Sequence, residues 1–580
     1  MTTLAYDPTP EQIAIIEHEG HAFVRACPGA GKTRTMVERA RVMRADTSDL
    51  RSVAFLSFTN AAVDEMKMRL AKFGALPAPI FPNYIGTFDG FLWQFLIGPF
   101  GIDGCPEPPQ LIPDKKDWVV KPPYDAAREL TLECFDRQTG ALIKNKADKF
   151  KFEPKNGPGA WEEVARNMIA RSLEKGLLDF EDVRAIVKGR LVDKIFADRA
   201  ATALTGRFKE LVVDEAQDCN PADLDIIDWL RRSGLTVKII CDPNQGIYGF
   251  RGGATNELEA FSAKFDKADH LPMSGNFRAS PAICSAISQL RPPTTRGEFD
   301  RAVGRYKSEA TPVHLLSYGG QAVSPHIGPA FLALTDKLNL DRKELRILAA
   351  TWSSASNGAG RRTVDPRNNK TLLLAQAVMG FHSAFAAGNP RHALGSLHRA
   401  VLMVRGLIAT AGDYGTYLAK PEIEDGGWRP EIISIGQELH PNPAEAAEQW
   451  LTRARNLLDK DLVGSASIGT RLKTNSNLGA LLSTVQVTDL PARSIHDVKG
   501  LEFPAVCVVL SPQTAGKIID VLSGTNAGQK EIEEARKIYV AASRAERLLA
   551  IATPKSRVEE LKAILDAGGQ AVVVSHVPTD

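Results

Sequence analysis

The octapeptide Ala26-Cys27-Pro28-Gly29-Ala30-Gly31-Lys32-Thr33 places two glycines, a lysine and a hydroxyl residue at the spacing of a phosphate-binding loop. Glycines let the backbone wrap an anion, and amide groups at the start of the following helix point toward it. In such a loop Lys32 reaches the β- and γ-phosphates of ATP, and the Thr33 hydroxyl holds Mg²⁺. Ala26 stands where the strict pattern has glycine. The complementary chemistry lies in Leu211-Val212-Val213-Asp214-Glu215-Ala216-Gln217-Asp218, an apolar run that ends in carboxylates. Asp214 would hold the Mg²⁺ through water, and Glu215 is placed to polarise an attacking water. Alone, the first is an ordinary glycine-rich turn and the second an acidic cap after a strand. Their succession in one chain favours nucleotide hydrolysis.

Hydrophobic periodicity supplies the elements that must carry these groups. Residues 22 to 26 read as a short buried strand, and Thr33 to Arg44 as a helix with Met36, Val37, Ala40 and Met43 on one side. Ser52 to Phe58 reads as a strand, and Ala61 to Phe73 as a helix with Ala62, Met66 and Leu70 on one face. Strands recur at residues 210–213 and 237–240. This alternation predicts a doubly wound parallel sheet. From about Phe95 to Thr205 the pattern turns helical, broken near its start by the proline-rich Cys105 to Pro123. A second α/β unit begins near His270, with strands at residues 313–316, 346–349, 505–509 and 548–551. A polar loop, Ser353 to Lys370, and a largely helical stretch to about Ser483 interrupt it.

At 580 residues the chain is expected to form several domains. Its 44% hydrophobic and 24% charged content is that of an ordinary globular protein. The net charge is only +2, so a nucleic-acid site would be a local groove and not a global field. Seven scattered cysteines with no Cys-x-x-Cys pair argue against a zinc cluster or a disulfide framework and favour a reducing compartment. The N-terminal residues show no secretion signal, and no apolar run approaches the roughly 20 residues that span a bilayer. A soluble cytoplasmic protein without a membrane partner is the expectation.

The phosphate loop and five later segments, in order, carry a resemblance. Asp214-Glu215-Ala216-Gln217-Asp218 resembles the Asp-Glu-x-Gln-Asp of superfamily 1 DNA helicases of the UvrD/Rep/PcrA group. Residues 242–254, Asp-Pro-Asn-Gln-Gly-Ile-Tyr-Gly-Phe-Arg-Gly-Gly-Ala, are similar to that family's third motif, and Asn276-Phe277-Arg278-Ala279-Ser280 to its Asn-Tyr-Arg-Ser. Residues 495–503 resemble its fifth motif, and Tyr539-Val540-Ala541-Ala542-Ser543-Arg544-Ala545 its sixth. The resemblance implies two RecA-like, doubly wound parallel-sheet motor domains, each with a largely helical insertion. The first motor domain would comprise residues 1–94 and 206–269 around an insertion at 95–205, and the second residues 270–352 and 484–580 around a shortened insertion at 353–483.

The family's site residues carry over to matching positions. Gln12 resembles the glutamine that reads adenine, and Arg34 and Phe277 match positions that sandwich the ring, with Phe in place of the usual Tyr. Gln245 matches a γ-phosphate sensor, and Glu502 a residue at the ribose. Arg278 and Arg544 match two arginines whose planar, permanent charge suits the phosphoryl-transfer transition state.

For single-stranded DNA, Phe58-Thr59-Asn60 matches the first contacting motif and Gly86-Thr87-Phe88 the second, with Asp89 where histidine is frequent. Tyr248 and Phe250 fall at aromatic positions of the third motif, and Phe250 is the leading base-stacking candidate. His496 matches a backbone contact.

Two functions of different class remain open. One is an ATP-dependent helicase that moves 3′ to 5′ on single-stranded DNA and acts at duplex–single-strand junctions in repair or restart. The other is a DNA-sensing ATPase that regulates a separately encoded nuclease, as in Gabija-like anti-phage systems. No fused nuclease constellation is evident in the last thirty residues.

Overall fold

The computed structural model describes residues 7–45, 49–72, 81–112, 114–124, 127–153, 157–247, 255–296, 300–360, 369–386, 390–410, 413–418, 423, 427–442, 444–482, 490–525 and 527–578. The chain divides into two compact units, Met1–Gly275 and Asn276–Asp580.

In the first unit six parallel strands form one sheet: β1 (Ala22–Ala26), β2 (Ser52–Ser57), β3 (Tyr84–Thr87), β4 (Phe208–Val213), β5 (Thr236–Cys241) and β6 (His270–Met273). Their spatial order is β6-β1-β5-β4-β2-β3. The central strands are near-continuous apolar runs, as a sheet covered on both faces requires. Helices α1 (Pro10–Glu17), α2 (Lys32–Ala45) and α3 (Asn60–Lys72) follow the expected βα alternation. On one side of the sheet Met36, Val37 and Ala40 of α2 pack with Val24 and Phe55, and on the other Phe88, Phe91 and Ile227 pack with Phe23 and Leu211.

The second unit repeats the plan with β7 (Val313–Tyr318), β8 (Leu345–Ala349), β9 (Ala492–Ser494), β10 (Phe503–Val509), β11 (Ala545–Pro554) and β12 (Val572–His576). The order is β9-β8-β10-β11-β7-β12, again all parallel. Both sheets thus have the doubly wound organisation expected of RecA-like domains.

Three expectations change. Residues 270–273, assigned to the second motor domain, pair with β1 as the edge strand of the first sheet. The segment 95–205, expected to be largely helical with a break at Cys105 to Pro123, also carries short strand pairs: Gln110–Leu111 with Leu177–Leu178, and Val119–Val120 with Leu130–Thr131. The polar loop after Ser353 opens as a helix, Trp352–Gly358, because the Thr351 side chain accepts from the Ser354 amide and Ala355 is buried against the sheet. The later insertion is built on helices 370–386, 390–405, 429–438 and 447–458 around the buried Trp450 and Phe381. Among the described residues no helix is long and apolar enough to cross a membrane.

Candidate ATP site and DNA-contacting motifs

The phosphate loop begins where β1 stops. Ala26 is still strand, paired with Met273, so the position at which the strict pattern has glycine needs none here. Cys27 donates its amide to the Met273 carbonyl at 2.9 Å, and the loop then turns through Gly29 and Gly31 at φ of 69° and 77°. Those left-handed conformations explain both glycines. Lys32 and Thr33 open α2 directly afterwards, half-buried.

A hydrogen-bonded run crosses the carboxyl ends of β1, β5 and β4. Lys32 Nζ donates to Glu215 Oε1 at 2.6 Å. The other Glu215 oxygen accepts from Gln217 Nε2. Gln217 Oε1 accepts the Asp242 amide at 3.1 Å, and Asp242 Oδ2 accepts from Gln245 Nε2 at 2.7 Å. Glu215 itself is left-handed, φ 57° and ψ 38°, a conformation that costs a non-glycine residue about 1–2 kcal/mol. Gln217 and Asp242 were given no role by the sequence reading. Their signal was membership of the motifs that supply Glu215 and Gln245.

The electrostatics are those of a cation site. Burial and the neighbouring Glu215 charge push the Asp214 carboxyl up to about 6. Burial disfavours the charge on Lys32, but the Glu215 and Asp214 carboxylates outweigh it and hold the ammonium above its ordinary pKa. Two carboxylates facing one lysine are an oxygen donor set that fits Mg²⁺, with Thr33 and Asp214 as the residues that would hold it. Among the described residues no group of three or more His, Cys, Asp or Glu could hold a metal. Mg²⁺ shared between one or two carboxylates and phosphates needs none.

Gln12 is buried on α1. Its Oε1 accepts the Thr9 amide in a capping box, and its Nε2 donates to the Ala30 carbonyl of the phosphate loop at 2.9 Å. Arg34 lies along α2 with Nε 3.5 Å from Glu38.

In the second unit the predicted residues converge at the amino ends of β10 and β11. Arg278 Nε donates to Glu502 at 2.8 Å and Nη1 to the Ser543 carbonyl at 2.9 Å. Arg544, 3% exposed, donates to the Val540 carbonyl and to Ser543 Oγ. Asn276 Oδ1 accepts the amides of Arg278 and Ala279, which shapes the turn that presents Phe277 and Arg278. Gly304 is a residue the sequence reading missed: a Cβ there would fall 1.9 Å from the Phe277 carbonyl oxygen, so only glycine fits.

The first two motifs expected to contact DNA sit on the same edge as the phosphate loop, after β2 and β3. Thr59 and Asn60 are exposed at the start of α3, and Thr59 Oγ1 accepts the Ala62 amide. Thr87 caps the next helix by accepting the Gly90 amide. Phe88 is a correction: it is fully buried in the first core, with Phe58 stacked on it at 5.7 Å, and presents no face to a base. Phe58 remains half-buried. Asp89 is paired with Arg184, which also holds Asp223. Tyr248 and Phe250 lie outside the described residues. His496, on the 3₁₀ turn Ile495–Val498, is half-buried, and burial with the Lys537 charge lowers its pKa, leaving the ring neutral at pH 7.

Residues 8–266 match the UvrD/REP helicase N-terminal domain and residues 472–556 the UvrD-like helicase C-terminal domain. DNA helicase II of Escherichia coli K12 is 22% identical over 94% of this chain and 84% of its own length. DNA helicase II of Salmonella typhimurium is 23% identical with the same coverage. ATP-dependent DNA helicase PcrA of Staphylococcus aureus Mu50 is 23% identical over 49% of this chain and 39% of its own.

Proposed function

This chain belongs to the UvrD-like helicase family, and on that premise we propose that it is a DNA-stimulated ATPase that moves 3′ to 5′ on single-stranded DNA and separates duplexes in repair or replication restart. The observation that carries the reading is the run Lys32–Glu215–Gln217–Asp242–Gln245. It ties the groups for phosphate binding, water activation and sensing to three adjacent strands. The next two strands of that edge, β2 and β3, end in Phe58-Thr59-Asn60 and Thr87. The Asp214 amide donates to the Leu56 carbonyl at 2.8 Å, so the acidic motif is bonded to the strand that leads into Phe58-Thr59-Asn60.

In this reading Gln12 recognises adenine. After its bonds to Thr9 and Ala30 the amide keeps one acceptor lone pair and one N–H. Those complement the N6 donor and N7 acceptor of adenine. Arg34 and Phe277 flank the ring, and Glu502 contacts the ribose. Lys32 exchanges Glu215 for the β- and γ-phosphate oxygens, which frees Glu215 to accept a proton from the attacking water. When bound by Thr33 and Asp214, Mg²⁺ supplies neutralisation of phosphate charge. Arg278 and Arg544 counter charge on the transferring phosphoryl group. Thr59, Asn60, Thr87 and His496 contact the DNA backbone, while Phe58, Tyr248 and Phe250 are the stacking residues.

The test is ATP hydrolysis and strand separation by the purified chain on duplexes with a 3′ overhang, a 5′ overhang or blunt ends. DNA-stimulated turnover with unwinding from the 3′ overhang is expected. Unwinding from the 5′ overhang alone would reverse the polarity. Stimulated turnover without strand separation would favour a DNA-sensing ATPase that acts on a separately encoded nuclease.

A further inference from the structure

Helix α1 has eight residues, too few to be stable through its own backbone bonds, yet it carries Gln12. Its last carbonyls have no partner within the helix. Two cations from other elements of the first unit supply one. Arg39, two turns beyond Lys32 on α2, donates from Nη1 to the carbonyls of Ile15 at 3.3 Å and Ile16 at 2.8 Å. Lys238 of β5 donates from Nζ to the His18 carbonyl at 3.0 Å. Glu210 of β4 fixes the guanidinium with two parallel bonds, Nε to Oε1 at 2.6 Å and Nη2 to Oε2 at 2.5 Å. Arg39, Glu210 and Lys238 are 7%, 1% and 0% exposed.

We propose that Arg39, oriented by Glu210 and seconded by Lys238, is a positioning residue for base selection that sets the preference for ATP over GTP. The proposal rests on the assignment of Gln12 to adenine. Guanine keeps the N7 acceptor but presents an O6 acceptor where adenine has its N6 donor. Gln12 rejects it only while its amide cannot rotate or withdraw. Two bonds prevent rotation, and one of them ends on Ala30 of the phosphate loop, so it persists only at a fixed distance between α1 and that loop. Arg39 sets that distance. It sits on the same helix that begins with Lys32, and its Glu210 partner lies four residues before Asp214 on β4. The base reader is thereby keyed to the two elements that hold the phosphate groups.

The experiment measures kcat/KM for ATP and for GTP with the full chain and saturating single-stranded DNA. Gln12→Ala should lower the ATP/GTP ratio about tenfold, the loss of one hydrogen bond of about 1.4 kcal/mol. Arg39→Lys keeps the charge without the fork and should lower the ratio by a similar factor, through a raised KM for ATP more than through kcat. Because Arg39→Lys leaves Glu210 imperfectly paired, the second variant is Arg39→Met with Glu210→Met, which removes both buried charges and preserves the fold while releasing α1. It should lower the ratio equally, and Gln12→Ala added to it should cause no further loss. If both Arg39 variants keep the wild-type ratio while Gln12→Ala loses it, the network is only structural and the proposal is overturned. If Gln12→Ala keeps the ratio, the adenine assignment fails and the proposal falls with it.

Discussion

The two units hold their charged groups in opposite ways. In the first, Lys32 and Glu215 meet at the carboxyl ends of the strands, 13% and 24% exposed, and the pair continues into Gln217, Asp242 and Gln245. In the second, Arg278 and Arg544 lie at the amino ends of the strands, and their partners include two carbonyl oxygens and a hydroxyl of one helix end. The carboxylate paired with Arg278, Glu502, is 56% exposed. An exposed pair of that kind is worth about 0–1 kcal/mol, so Arg278 can leave it at little cost. The first arrangement is preorganised. The second stores cations on weak partners.

That contrast can be broken or sharpened at graded cost. Arg278→Ala and Arg544→Ala should each lower ATP turnover by about 10³-fold with a smaller effect on ATP affinity, as loss of a transition-state arginine does. Steady-state kinetics with DNA present decides it, and wild-type turnover in both would leave the second unit without a role in hydrolysis. Glu215→Gln should bind ATP yet hydrolyse it about 10²–10⁴ times more slowly, since an amide cannot take the proton. Parent-rate turnover would assign the run of polar residues to structure alone. Phe88→Ala should lower unfolding free energy by about 3–5 kcal/mol in a denaturant titration, the cost of emptying a core site. Phe250→Ala should leave basal ATPase and weaken DNA stimulation, each base stack being worth about 1–3 kcal/mol. The smallest effect is expected for Glu502→Gln, with stability changed by about 0–1 kcal/mol. A large drop in its melting temperature would show that Arg278 is held tightly after all.

Sequence order made both sheets legible because their central strands are apolar runs flanked by helices of 3.6-residue period. The strands it missed, residues 84–87, 270–273, 492–494 and 572–576, are all short, and all four lie at sheet edges. There hydrophobicity is diluted and assignment depends on the neighbour. His270–Met273 shows this most clearly, for only pairing with β1 places it in the first unit. Phe88 shows the converse. A motif match put it on the DNA track, whereas the local turn capped by Thr87 carries its ring into the core.

What the sequence alone determined is the chemistry available: a lysine and hydroxyl after two glycines, paired carboxylates after a strand, arginines in later motifs. Residue type and short spacing suffice for that, since a loop's dihedral needs and a strand-to-helix turn are local. Only the tertiary structure decided which groups are joined. The sheet order β1-β5-β4-β2 brings residues 32, 215, 217, 242 and 245 into one hydrogen-bonded run, and the packing of α1 on α2 brings Arg39, held by Glu210, to the last carbonyls of α1. Lys32–Glu215 and Arg39–Glu210 each span more than 170 residues of chain, Gln217–Asp242 spans 25 and Arg39–Ile16 spans 23, and no local pattern records them.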